Sequence, residues 1–271
     1  VISGGVIGQP NYNYMQGQSI TSLGNRGMVD VVIRAYRAIL ISSSFQYVND
    51  LSFCSENGNI VLSGTAYENF GPNSVTVNAE DGSFKWSGFE NLTLEDTYHI
   101  TAKKGIQIGA SVAADGSLKE IATVHMKCED FAGSLTSTEG KIVLGNLVLD
   151  DYSAYRDDTI TLEVNGDLYL ASITITRPGL FYKTFFRLFV DGDLFVIGNV
   201  DTTKNGNVSI VTTGLASFDG EVMDVYDFEL TAGSVVFNAP NISIGRFNSN
   251  EGAVFSVTAT EGDIVFNSFT P

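Results

Sequence analysis

The chain has 271 residues, 44% of them hydrophobic, enough for a sizeable core and too apolar for a disordered tail. Its 31 acidic against 15 basic residues give a formal net charge of −16, which repels phosphate backbones and anionic membranes and excludes nucleic acid as an expected partner. No apolar run reaches the length of about 18 residues that a bilayer-spanning helix needs, and the start shows no charged and apolar leader pattern, so a mature or excised chain without membrane insertion is expected.

Residues 1–27 are rich in Gly, Asn, Gln and Tyr without a sustained period and read as an irregular leading or capping segment; residues 28–271 form a repeat domain. Met28 to Ile41 is open between two readings. Val32, Tyr36 and Ile39 would line one helical face, whereas the β-branched run Val31, Val32, Ile33 favours a strand. From Leu51 onward the period is two. Val75, Val77, Ala79, Phe84 and Trp86 are expected on one face, with Thr76, Asn78, Ser83 and Lys85 on the other. Cys54 and Cys128 are too few for a disulfide framework and are expected as buried thiols.

A phrase of strand, Gly-centred turn and strand recurs nine times, anchored on Gly58, Gly82, Gly105, Gly140, Gly166, Gly192, Gly206, Gly233 and Gly262. Most of the intervals cluster near a common length, while Gly105 to Gly140 is long and Gly192 to Gly206 is short. Such a period marks units that bury their apolar faces only by stacking on neighbours. The Asn-Gly and Asp-Gly pairs at Gly58, Gly82, Gly166 and Gly192 are also hairpin signals, which would make an all-β sandwich or barrel. Even spacing favours the first reading: an all-β, right-handed parallel β-helix of roughly ten rungs, about 50 Å long at about 4.8 Å per rung. The intervals 110–123, 150–158 and 176–187 do not fit a minimal rung and are expected as contact-making loops.

The repeats at Leu230 to Phe237 and Val257 to Phe266 resemble those of filamentous-haemagglutinin-type adhesins and autotransporter passenger domains. That resemblance covers most of the chain after residue 50. It implies a bacterial, displayed or secreted β-helix with an adhesive or scaffolding role. The chain departs from these families in lacking the Asn-Pro-Asn-Gly signature and a C-terminal membrane-barrel pattern.

No catalytic motif stands out. Asp150-Asp151 and Asp157-Asp158, with Tyr152, Tyr155 and Arg156 between them, offer paired carboxylates for glycan chemistry, but adjacent acids in an acidic chain are ordinarily solvated loop charges. Lys103, Lys104, Arg177, Lys183 and Arg187 are the bases available to a lyase. Asp167, Asp191 and Asp193 sit beside equivalent turn glycines and would form a ladder able to hold Ca²⁺, the one cofactor considered, although Asp also simply favours turns. His99 and His125 lack metal-spaced partners and read as outward strand residues. Phe181, Tyr182, Phe185 and Phe186, with Arg177 and Lys183, are the densest aromatic group, whereas Tyr12, Tyr14, Tyr152 and Tyr155 lie in polar surroundings. Three sequons fall at Asn91, Asn207 and Asn241, as expected by chance in so polar a chain.

The expectation is a non-catalytic, extracellular or cell-surface module that binds a carbohydrate or host-surface ligand through Tyr152, Tyr155, Arg156, Arg177 and Tyr182. A polysaccharide lyase or hydrolase with an acidic groove, and a self-assembling surface scaffold, are the alternatives.

Overall fold

The computed structural model describes residues 2–8, 29–46, 48–64, 74–113, 115–150, 158–176, 184–202, 206–238, 241–244 and 254–267. Within them the chain is all β, without a helix. Twenty-four strands join one hydrogen-bonded system and two form a separate antiparallel hairpin. The pairings of the large system are parallel and join strands of successive turns, so the molecule is a parallel β-solenoid. The Asn-Gly and Asp-Gly turns therefore close no hairpins, and the sandwich or barrel alternative falls.

Three sheets line the solenoid. The first stacks Val29–Ala35, Val48–Ser55, Ser74–Ala79, the second halves of Asn91–Ala102 and Thr123–Thr136, then Asp158–Asn165, Thr184–Asp191, Gly206–Thr212, Asp227–Ala232 and Val254–Ala259. The second runs from Ile2–Gly8 and Ile39–Gln46 through Phe84–Ser87, Leu194–Val196 and Leu215–Phe218 to Ile264–Phe266. The third is shorter; among the described residues its first strand starts at Asn91.

Alternation decides what each strand buries. Leu162, Leu188, Ile210 and Leu230 stack in register and are all at most 1% exposed, whereas Glu163 and Phe189, one residue on, face out. Each such buried aliphatic side chain contributes roughly 1.5–3 kcal/mol of transfer free energy. The expected face of Val75, Val77, Ala79, Phe84 and Trp86 is buried throughout. Where this packing needs a large ring, a neighbour gives way: Tyr98 stacks on Phe131 at 5.8 Å, and a methyl on Gly133, the partner of Tyr98, would fall 2.9 Å from the Phe131 ring.

Several expectations are settled or corrected. Between the helix and strand readings left open after Met28, the strand holds: Val29–Ala35 and Ile39–Gln46 are strands, because alternation sends Val32 and Tyr36 outward (62% and 67% exposed) and Ile39 inward (5%), which no helical face would do. The leading segment carries a strand, Ile2–Gly8, parallel to Ile39–Gln46; residues 9–28 lie outside the described residues. Gly206 is no turn anchor: it opens a first-sheet strand, and Gly214 holds the corner, its N–H donating to Gly192 and its carbonyl accepting from Gly233. The long interval from Gly105 to Gly140 contains the inserted hairpin of Ser111–Val112 with Leu118–Lys119, which the Lys85–Glu120 ion pair at 3.3 Å ties back to the second sheet. The interval 176–187 ends early, in the strand Thr184–Asp191.

Candidate functional site

The first sheet's outer face opens into a groove of about 450 Å³ over its first three turns. Register builds it. Arg34, Cys54 and Asn78 occupy one file and Val32, Ser52 and Thr76 the next, because residues two apart on each strand share a face. Past the strand ends the lining continues in Tyr36, Glu56 and Glu80, where backbone bonds from Glu56 N to Ala35 O (3.2 Å) and from Glu80 N to Ser55 O (2.9 Å) hold the turns together. One cation, two carboxylates, a carboxamide, two hydroxyls and a phenol thus converge on one open surface. Asn78 Nδ2 donates to Glu80 Oε1 at 3.4 Å. Among the described residues the lining contains no histidine. Cys54 is a free, half-buried thiol on the outward face, a correction to its expected burial; Leu51, Phe53 and Ser55 take the inward positions of that strand. The Cys128 side chain lies outside the description.

The sequence pointed elsewhere. Tyr152, Tyr155, Arg156, Arg177 and Tyr182 all lie outside the described residues, as do Tyr12, Tyr14, Asp151, Asp157, Phe181 and Lys183. Phe186 is fully buried in the core, and Phe185 is half-buried. His99 is exposed and within 2.7 Å of Ser134 Oγ; His125 reaches Asn91 Oδ1 at 3.4 Å.

Asp167 and Asp193 take the same corner position in consecutive turns, whereas Asp191 is the register partner of Asn165 at a strand end; the oxygens of all three meet hydrogen-bond donors. Asp167 Oδ1 accepts from the backbone N of Asp193 at 3.0 Å, Asp193 Oδ1 from that of Leu215 at 2.8 Å, and Asp191 Oδ1 from the Thr213 hydroxyl at 3.0 Å. Asn59 and Asn199 make the same bond to Ser83 and Glu221, so a neutral amide serves as well as a carboxylate. The ladder secures each corner to the next turn. Among the described residues, no three His, Cys, Asp or Glu side chains group closely enough to hold a metal ion.

Lys103 and Lys104 belong to a corner network rather than to a groove. Lys103 Nζ lies 2.9 Å from Asp81 and 3.5 Å from Glu139, and Lys104 lies 3.6 Å from Asp81. The hydrogen bond and charge of Lys103, helped by Lys104, hold the Asp81 carboxyl below the usual carboxylate value, and Asp81 in turn raises Lys103. Asp115 is also lowered, by hydrogen bonds from Ser117 within the hairpin.

Two features escaped sequence reasoning. A second glycine file, Gly109, Gly145, Gly198 and Gly220, marks the corner between the second and third sheets, where a methyl on Gly198 would fall 2.5 Å from the carbonyl oxygen of Ala171. Gly198 and Gly220 each follow their corner glycines, Gly192 and Gly214, by the same number of residues, a signal that emerges once Gly214 is recognised as an anchor. The groove itself had no local signal, since its residues meet only through register. Neither a protein-family model nor a curated protein nor a solved structure matches this chain.

Proposed function

We propose that this chain is a non-catalytic adhesive module of an exported bacterial surface protein, binding a hydroxyl-rich carbohydrate along the outer face of its first sheet. The observation that carries this reading is the groove of Arg34, Tyr36, Cys54, Glu56, Asn78 and Glu80, which runs into a polar file of Thr76, His99, Ser134 and Glu163 on successive turns. Carboxylates and carboxamides of this kind accept from sugar hydroxyls and carboxamides also donate to them, and the paired strands hold the backbone fixed so that only side chains are ordered on binding. Export, cell-surface display and bacterial origin rest on the repeat resemblance. The test is retention of acidic and neutral polysaccharides by the purified chain, with and without Ca²⁺, reading released chain ends in the same wells. Retention that is lost in Arg34→Ala and Asn78→Ala supports the module; absence of retention across the panel sinks it.

A hydrolase is the second reading, because Glu56 and Glu80 reach the groove from neighbouring turns, the arrangement that paired-carboxylate chemistry uses. Released chain ends that disappear in Glu56→Gln or Glu80→Gln would establish it.

A further inference from the structure

On the outer face of the second sheet, Tyr169 and Phe195 are register partners in consecutive turns. Their rings stack with centroids 4.6 Å apart and planes 20° apart, and Lys141 Nζ sits 4.4 Å from the Tyr169 centroid. Turns of a parallel stack are about 4.8 Å apart. A ring separation so close to the turn spacing sets the ring normals along the solenoid axis, so the free face of Phe195 is directed at the next strand. The register partner there is Ser217, and beyond it Val236. A hydroxymethyl group fills far less space than a ring, so the aromatic pile stops with one face of Phe195 looking over a gap.

Polar groups edge this gap. Asp219 and Asn238 are exposed just past the ends of the Ser217 and Val236 strands, with Asn238 Nδ2 donating to Asp219 Oδ1 at 2.7 Å, and Ile197 (36% exposed) flanks Phe195. Asn238 Oδ1 accepts from Asn267 Nδ2 at 2.7 Å, so its second lone pair and the second Asp219 oxygen are the positions left to accept further bonds.

We propose that the face of Phe195 over Ser217 is a sugar-stacking site, in which a pyranose of a neutral or basic polysaccharide seats its C–H face on the ring while its hydroxyls donate to Asp219 and Asn238. An aromatic face is electronegative and complements the electropositive C–H groups of a sugar, and the flat ring fits the height left by Ser217. The Asp219 carboxylate and the net charge of −16 disfavour acidic sugars. The site deepens the carbohydrate reading and rests on it, but it lies on a different sheet from the groove, so the two can fail separately.

The test titrates cellohexaose and chitohexaose into the whole chain by calorimetry. Variants are Phe195→Ala, Phe195→Trp, Ser217→Tyr and the groove double variant Arg34→Ala/Asn78→Ala, each checked for an unchanged thermal midpoint. Phe195→Ala is expected to weaken binding about tenfold, the scale of one lost ring contact. Ser217→Tyr should block binding by adding a third ring to the pile, while Phe195→Trp retains it. Because Ser217→Tyr fills space on an outer face, it keeps the proposal testable should Phe195→Ala loosen the sheet. Binding unaffected by both Phe195→Ala and Ser217→Tyr but lost in the groove variant would overturn this site and leave the carbohydrate reading standing. No binding of either sugar would overturn this site; with no retention on the polysaccharide panel as well, the carbohydrate reading falls too. Capture of a tryptophan-containing peptide in place of either sugar would assign the face to a protein partner, also against the proposal.

Discussion

The α-carbon of Gly82 packs against the backbone carbonyl of Gly58 in the preceding turn, so closely that a methyl group on Gly82 would overlap that carbonyl. The contact is backbone on backbone, so no side chain can rotate away. Gly82→Ala should therefore cost about 1–3 kcal/mol by forcing two turns apart. Ser83→Ala, at a half-buried neighbour, should stay within about 0.5 kcal/mol. Paired denaturant titrations check this, and equal midpoints for the two variants would show that the corner can relax.

Corner carboxylates separate a structural ladder from a metal site. If Asp193 acts by accepting the Leu215 N–H, then Asp193→Asn should be tolerated and Asp193→Ala should cost about 1 kcal/mol. Added Ca²⁺ should leave the thermal midpoint of the parent chain unmoved. A midpoint that rises with Ca²⁺, and ceases to rise in Asp193→Asn, would instead make the ladder a cation site.

Leu188 and Phe189 are neighbours with opposite fates, 0% and 41% exposed. Truncating Leu188 to Ala opens a void between Leu162 and Ile210, with an expected loss of about 2–5 kcal/mol. Phe189→Ala removes the larger side chain yet should cost much less. Reversed costs in thermal melts would contradict the strand register.

The Cys54 thiol faces the groove on an outer strand face and should react with iodoacetamide in the folded state. Mass spectrometry after brief labelling reads this directly. A retained polysaccharide should slow the reaction if it occupies the same groove; labelling that proceeds only after denaturation would close the groove as a binding surface.

The Asp81 network gives a pH dependence with a defined sign. Because the folded carboxyl is lowered from its ordinary 3.8, its contribution is present above that value and lost as pH falls through the folded value. Lys103 is raised from 10.5, so its contribution is present below 10.5 and lost as pH climbs through the folded value. Asp81→Asn should flatten the acid limb of the stability profile slightly, and less so in high salt, since the group is exposed. An acid limb identical in the parent and variant would remove Asp81 from the account.

The fold was legible because stacking writes the same demand into every turn. Phe84 and Trp86 alternate inward as a period of two requires, and the corner glycines recur because each corner must lie on the one before. The misplacement of one anchor at Gly206 hid more than itself. Tyr169, Phe195 and Ser217 stand at one fixed offset after Gly166, Gly192 and Gly214, so the outward ring pile and its end over Ser217 become readable only from the correct anchor. The groove was not legible at all: Arg34, Cys54 and Asn78 come from three turns of unequal length, and no spacing in the chain announces that they share a file.

By itself, then, the sequence determined the class of structure: alternation set which side chains face inward, and the glycine phrase set where the chain turns, since both are local properties of strand and corner. Tertiary structure decided which turns differ in length, which outward residues become neighbours, and that the corner aspartates bond to the next turn's donors. Those outcomes depend on pairing between residues some twenty or more positions apart, and register is a property of two strands together, which neither strand carries alone.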